Sequence, residues 1–484
     1  MFRLNRIIHT AIHVDTLLEE AMRFVDRQEE LGFLEREYSQ PSFRFIPIYG
    51  RRRIGKTRLV REFIEDKPAI YFLADTVSEP EQLKNLGRSV GEYFKDMVLI
   101  EGGFREWEQF FRYLREKSAK ARFVLAIDEF PYLVNAARAI SSIFQKGIDT
   151  HLKHTKLFLT LLGSSVGMME REVLLSKAPL YGRRTGSLKV EELKFSALKE
   201  FFPEADLKKR AAIYTAFGAV PAYLEQVRPH ESILRNISEL ILARNTFLHN
   251  EVDFLLREEL REPRDYYVIL RAIAQGKRKL SEIMNDTGFD KAHLSRYLDI
   301  LRSLGFVEKE VPVTEKSPDK SRLGLYRLHD RFFAFWFKYV LPNRGRLEIG
   351  NEDYVLMQIE DTFDQHLGDA YESIAREIFL DLARREKIPV TSLGRWWWKN
   401  EEIDLVALDE ESRTIWFGEC KWSSRKVGAD VFQDLRRKSA LVEWHAGRRN
   451  ERFILFSRSG FTPAMLDLAK REKVVLIEGE SALR

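Results

Sequence analysis

The residues best suited to chemistry gather near position 50. Gly50-Arg51-Arg52-Arg53-Ile54-Gly55-Lys56-Thr57 fits the spacing G-x-x-x-x-G-K-[ST], between an apolar run, RFIPIYG (44–50), and a helical pattern, TRLVREFIED. Glycines at both ends let the backbone curl so that successive N–H groups face one phosphate, and a helix N-terminus adds partial positive charge. Lys56 has the reach for β- and γ-phosphates, Thr57 can ligate Mg²⁺, and Arg58 follows on the first helical turn. Pro47 inside the preceding strand is unusual. It removes a ladder donor, so an edge or a bulge is expected there.

Three further features belong with that loop. FVLAIDEF (123–130) is a buried strand that stops on Asp128 and Glu129. Such a stop puts two carboxylates at the C-terminal edge of a sheet, Asp128 to hold Mg²⁺ and Glu129 to orient an attacking water. An acidic helix cap after a core strand is the plainer reading. KLFLTLLGSS (156–165) ends in Ser164 and Ser165, either of which can sense a γ-phosphate, or simply terminate the strand. YGRRTGSL (181–188) carries Arg183 and Arg184 in a Gly-flanked loop. Either could stabilise transition-state charge, in its own subunit or a neighbour's, or serve as a surface salt bridge.

A second acidic group lies near the C-terminus. EIDLVALD ends a strand, a hairpin turns, and RTIWFGECKW carries Glu419-Cys420-Lys421. Period two puts Glu419 and Lys421 on one strand face, and Asp404 on the adjacent strand can meet them. Two carboxylates can hold Mg²⁺, with Lys421 to position or activate a nucleophile. Glu372, on a helix upstream, could reach the same ion, and Gln433 lies on the helix downstream. A salt-bridge network that cuts nothing fits the same residues. Trp396, Trp397 and Trp398 could stack on bases, but core packing suits three consecutive tryptophans better. The basic segment 433–450 could track a phosphate backbone or be a solvated face. Cys420 reads as a small apolar residue rather than a nucleophile.

The elements that position these residues follow from pattern. The chain has 484 residues, which at roughly 150 per domain implies about three domains. A hydrophobic fraction of 44% and an aromatic fraction of 12% exclude a disordered chain. One cysteine excludes a disulfide framework and a thiolate zinc site. No run nears 18 apolar residues, so no membrane partner is expected, and the lack of an export segment reads as cytoplasmic. A net charge of +5 is compatible with nucleic acid without being evidence for it. Residues 1–22 read as a helical lead-in. Asp26 and Glu29 read as a capping box for the next helix. Strands then alternate with helices, predicting a parallel sheet covered on both faces. Residues 196–262 read as helical. LSEIMNDTGFDKAHLSRYLDILRSLGFVEKE (280–310) reads as helix, turn, helix and strand, with Leu294, Leu298 and Leu301 facing a core and Lys291, His293 and Arg296 off that stripe. A hairpin around Pro318 completes a winged-helix pattern, for the major groove or for packing on its own chain. PNRGRLEIGNED (342–353) is the best linker candidate.

FVDRQEEL, YGRRRIGKTRLV, VLAIDEFPYL, LLGSS, LYGRRTGSL and FGAVPAYLEQ, in that order, resemble the archaeal ATPase family within the AAA+/STAND group of P-loop NTPases, over about residues 22–260. The resemblance implies adenine recognition near Phe24, Val25 and Arg27, and a helical segment around Pro221 near the base. The C-terminal stretch GRWWWKNEEIDLVAL with GECKW resembles the PD-(D/E)XK nuclease fold, and more narrowly a domain of unknown function fused to archaeal ATPases, with Ile403 where the family proline would stand. The fold class expected is α/β: a P-loop core (1–195), a helical lid (196–262), a winged helix (263–345) and a nuclease-like domain (346–484). The function expected is an ATP-binding and ATP-hydrolysing switch, with ATP and Mg²⁺, coupled to a DNA-binding and DNA-cleaving module. The alternatives are a signalling or defence NTPase acting on a protein partner or by self-association, with a silent C-terminal domain, and a DNA-binding regulator without turnover.

Overall fold

A computed structural model describes residues 24–260 and 262–483, so the lead-in expected over 1–22 lies outside the described residues. The chain forms two compact units. The first holds residues up to Gly50 with Gly55–Ser164 and Met169–Leu193; the second holds Arg51–Ile54, Ser165–Met168 and the chain from Lys194.

The first unit is built on a parallel sheet in the order β2-β3-β4-β1-β5, from β1 (Arg44–Tyr49), β2 (Ala69–Leu73), β3 (Val124–Asp128), β4 (Phe158–Gly163) and β5 (Leu188–Lys189). Every residue of β3 and β4 is buried, as continuous apolar runs require in a parallel sheet covered on both faces. Helix α1 (Gln28–Tyr38) precedes β1, α2 (Lys56–Ile64) follows the phosphate loop, and α3 (Glu79–Phe94) and α4 (Trp107–Lys120) lie between β2 and β3. Gly87 on α3 meets Gly103 so closely that a Cβ at 87 would stand 2.5 Å from the Gly103 Cα. Pro47 sits within β1, paired with β4 on one side and open on the other, so it meets a local edge as expected. The Phe45 N–H turns toward Thr185, at 3.0 Å from its Oγ1. Two residues on, the donor missing at Pro47 faces the same side, where the β5 ladder begins only at Ile48. The expected capping box is absent. Asp26 and Arg27 are both left-handed, with φ of 60° and 75°, so the chain enters α1 from a tight turn without a side-chain cap.

The second unit begins with short helices and continues into a helix-turn-helix, α5 (Leu280–Thr287) and α6 (Lys291–Ser303), with Asp290 capping α6. Leu294, Leu298 and Leu301 are fully buried, as their spacing predicts. Strands β6 (Val307–Glu310) and β7 (Leu325–Leu328) form the antiparallel hairpin. The stretch 342–353 is not an open linker, for it holds helix Arg344–Glu348 and the start of the 34-residue α7 (Glu352–Arg385). A six-stranded sheet follows in the order β13-β12-β11-β10-β9-β8. Its members are β8 (Ser392–Trp398), β9 (Glu401–Asp409), β10 (Thr414–Lys421), β11 (Asn450–Ser457), β12 (Val475–Glu478) and β13 (Ser481–Leu483). Asp404 lies within β9, which runs on to Asp409 as the pattern EIDLVALD predicts. Helices α8 (Ala429–Ser439) and α9 (Pro463–Glu472) flank this sheet, their buried Phe432, Leu435 and Met465 in one core with Phe417 and Leu455.

Glu377 on α7 accepts a hydrogen bond from the Phe195 N–H at 2.8 Å. Burial pushes its carboxyl from an ordinary 4.5 up to about 7. The folded state then binds the proton more tightly than the unfolded one, so this contribution to stability is complete below about pH 4.5 and is lost as pH rises through about 7. Glu377→Gln keeps the acceptor and removes the titration. Thermal unfolding followed over that window is expected to show a shallower pH dependence in the variant than in the wild type.

Candidate functional site

Three positions of the phosphate loop have positive φ: Gly50 at 154°, Arg53 at 68° and Gly55 at 88°. Such a backbone turns consecutive N–H groups to one side and makes an anion-binding concavity. Lys56 is nearly fully buried, and its Nζ donates to the Gly50 carbonyl at 3.0 Å. The Asp128 carboxylate is buried at the end of β3 and held by three donors. Oδ2 accepts from Thr57 Oγ1 at 2.6 Å and from the Tyr71 hydroxyl at 2.7 Å, and Oδ1 accepts from the Glu129 N–H at 2.8 Å. Burial and then the Asp128 charge push the Tyr71 hydroxyl up. Glu129 takes a left-handed turn, φ 51°, and its Oε1 accepts from Ser164 Oγ at 2.5 Å. The strand ends thus join Thr57, Asp128, Glu129 and Ser164 in one hydrogen-bonded chain.

The remaining residues expected around the nucleotide are engaged with protein groups. Arg27 is buried and donates to Glu30 and to the Glu191 carbonyl; Val25 is buried beside it and Phe24 half-buried. Arg183 ion-pairs with Asp149 at 2.7 Å, and Arg184 donates to the Leu174 and Tyr181 carbonyls. Ser165 pairs with Glu259 rather than Glu129. Within the second unit, Arg51 lies 2.7 Å from Asp330, Arg52 2.8 Å from Glu258, and Arg53 ion-pairs with Glu251. Ile54 is buried, and Arg58 is half-buried on the first turn of α2.

The second acidic site sits where β9 and β10 run antiparallel. Gly418 pairs with Leu405, so Glu419 follows opposite Asp404 on the same face. Asp404 Oδ2 accepts from the Cys420 N–H at 2.9 Å, and Lys421 Nζ donates to Glu419 Oε1 at 2.7 Å. Burial, then the charges of Glu419 and Glu372, push the Asp404 carboxyl up. Glu419 Oε2 is buried without a hydrogen-bond partner among the described residues, with Lys438 Nζ 3.7 Å away as a second cation on the carboxylate that Lys421 already meets. Two neighbouring carboxylates with an unfilled acceptor fit a hard cation that keeps most of its waters. The third expected ligand is not free to join them, because Glu372 faces Arg395 at 3.4 Å. Among the described residues, no group of three or more such side chains stands ready for a metal.

Burial falls along Trp396, Trp397 and Trp398, the last 51% exposed. The basic segment is not one helix, since α8 ends at Ser439. Its cations face carboxylates: Arg436 meets Glu472, Arg437 meets Glu401 and Asp434, and Lys438 meets Asp434. Sequence reasoning missed two residues. Tyr71 carries a faint signal, a hydroxyl in an otherwise apolar strand two residues before the Leu73–Asp128 pair. Arg395 carries none, for it stands at a break in strand register between Gly394 and Trp396 that no sequence period reveals.

A family model described as "ATPase domain predominantly from Archaea" matches residues 24–227, one for "Bacterial regulatory protein, arsR family" matches 268–309, and one described as "Archaea bacterial proteins of unknown function" matches 336–431. An uncharacterized protein of Methanocaldococcus jannaschii is 41% identical over 424 residues, 87% of this chain and 92% of that protein. Among solved structures, a Walker-type ATPase of Pyrococcus abyssi is similar at 21% identity and TM-score 0.46, covering 65% of this chain and 96% of that one. The Aeropyrum pernix ORC2 protein is similar at 14% identity and TM-score 0.40, covering 69% and 95%.

Tyr71→Phe removes one donor from a buried carboxylate. It is expected to lower the stability of the nucleotide-free protein by about 1–2 kcal/mol, measured by denaturant unfolding.

Proposed function

Because the chain belongs to the archaeal ATPase family, with a helix-turn-helix segment and a C-terminal domain of unknown function, we propose that it binds and hydrolyses ATP and uses that cycle to switch a nucleic-acid-directed module. The observation that carries this reading is the chain from Thr57 through Asp128 and Glu129 to Ser164, at the end of the sheet where the phosphate loop opens. The loop amides and Lys56 bind the phosphates. Glu129 orients the attacking water, and Ser164 releases or holds that carboxylate according to whether a γ-phosphate is present. Arg183 or Arg184 supplies charge late in the reaction, Arg183 after leaving Asp149. Arg27, Val25 and Phe24 lie toward the base. Thr57 and Asp128 would hold Mg²⁺, which neutralises phosphate charge when bound.

For the second half, the reading is a DNA-binding segment with a metal-dependent nucleolytic site at Asp404, Glu419 and Lys421. Support comes from the exposed Lys291, His293 and Arg296 on α6 and from the unfilled acceptor of Glu419. Asp404 and Glu419 would hold the cation, and Lys421 would position the nucleophile. The engagement of Glu372 by Arg395 favours the second reading, a protein-directed switch whose C-terminal site is silent. The ATPase core spans 1–195, the helical lid 196–262, the winged helix 263–345 and the nuclease-like domain 346–484.

Lys56→Ala is expected to abolish ATP turnover. Glu129→Gln is expected to retain ATP binding, read by a fluorescent analogue, while phosphate release falls by at least about 10²-fold. A Lys56→Ala protein hydrolysing at the wild-type rate would remove the assignment. For the C-terminal site, Mn²⁺-dependent cleavage of single- and double-stranded DNA is expected in the wild type and absent in Glu419→Gln. No cleavage by either, with or without ATP, would leave the silent-domain reading.

A further inference from the structure

Arg395 is almost wholly buried, at 6% exposure, among carboxylates from three different elements. Its NH2 is 2.9 Å from Glu402 on β9, its Nε is 3.4 Å from Glu372 on α7, and its NH1 is 3.8 Å from Glu310 on β6. The position is not an ordinary strand site. β8 pairs regularly with β9 through Gly394 and again from Trp396, and the register shifts in between. A residue set out of register in this way has its side chain re-aimed. The backbone there is anchored as well: the Arg395 carbonyl accepts from the Val313 N–H at 2.9 Å. Glu310 holds two further cations, Arg327 at 3.1 Å and Arg376 at 3.2 Å. The hairpin is therefore tied by charge to the helix that carries Glu372.

We propose that Arg395 is a built-in counter-cation that competes with a divalent cation for Glu372, leaving the Asp404–Glu419 pair short of its third carboxylate while the guanidinium stays in place. The proposal rests on the reading of Asp404 and Glu419 as cation ligands. It accounts for a glutamate whose charge acts on Asp404 and which is nevertheless held by a guanidinium. The contact is an ion pair rather than a hydrogen bond, and a guanidinium and a metal ion set against one buried carboxylate repel each other, so each weakens the hold of the other. Glu402 and Glu310 compete with Glu372 for the guanidinium, Glu402 at the shorter distance. Whatever draws Arg395 toward Glu310 frees Glu372, and whatever removes Glu310 presses Arg395 onto Glu372. Arg395 is thus a positioning residue, acting through Glu372 and set by the hairpin.

The test is Mn²⁺ binding to the full chain, read from the electron paramagnetic resonance of free Mn²⁺, with unfolding curves as a control for integrity. Loss of binding in Glu419→Gln relative to wild type identifies the site; its absence would sink the cation reading itself, separately from the role of Arg395. Arg395→Gln is expected to tighten binding about tenfold. Adding Glu372→Gln to that variant is expected to erase the gain, whereas a gain that survives would mean simple charge removal and would overturn the proposal. Arg395→Lys, which keeps the charge, is expected to bind as wild type. Should Arg395→Gln fold poorly, Glu310→Gln carries the test alone: Mn²⁺ affinity is expected to fall several-fold, and an unchanged or higher affinity refutes the competition.

Discussion

A carboxylate buried at the tip of a central strand must be given donors, and that requirement organises the first unit. Asp128 is 1% exposed. An isolated charge at that depth is strongly unfavourable, so the surrounding elements must meet it. One donor comes from the first turn after the phosphate loop, one from the neighbouring strand, and one from the backbone of the very next residue. Glu129 itself adopts a left-handed conformation, and from there its carboxylate meets Ser164. The arrangement of groups at these strand ends is thus largely the solution to a solvation problem at one side chain.

Much of this was legible in the chain. The loop spacing, an apolar strand ending in two acids and another ending in two serines are local signals, and local signals survive folding because parallel strands deliver their C-terminal ends to one edge. Choosing between Ser164 and Ser165 was not possible from sequence. The two differ by one residue, and only the exit angle of the chain decides that the first meets Glu129 and the second Glu259. Tyr71 was hidden because its partner is 57 positions away and its own strand looks simply apolar. The capping box at Asp26 was read from residue types that usually cap helices, but a left-handed pair before the helix overrode that preference.

The C-terminal half was harder to read for a different reason. Its charges are numerous and its pairings are long-range, so period and spacing place Asp404 opposite Glu419 but say nothing about which cation answers which acid. A glutamate on the helix upstream looked like a third ligand. In three dimensions it meets an arginine carried by a break in strand register. The run of cations after residue 433 looked like a surface for phosphates, but it is mostly matched by carboxylates on neighbouring elements, at separations such as that of Arg437 from Glu401. Charge composition alone cannot separate those outcomes, because the energy of each pair depends on distance and burial.

One element ties that half together. The helix from Glu352 to Arg385 is unbroken over 34 residues, about 50 Å of rigid rod. In its first half Phe363 and His366 pack on Phe335 and Tyr339, and toward its end Phe379 packs on Trp416 of the sheet. Both cores therefore share a single beam. Severing the chain anywhere along it would strip a wall from one hydrophobic interior or the other, and a twist imposed at one end has no joint in which to dissipate before it reaches the other.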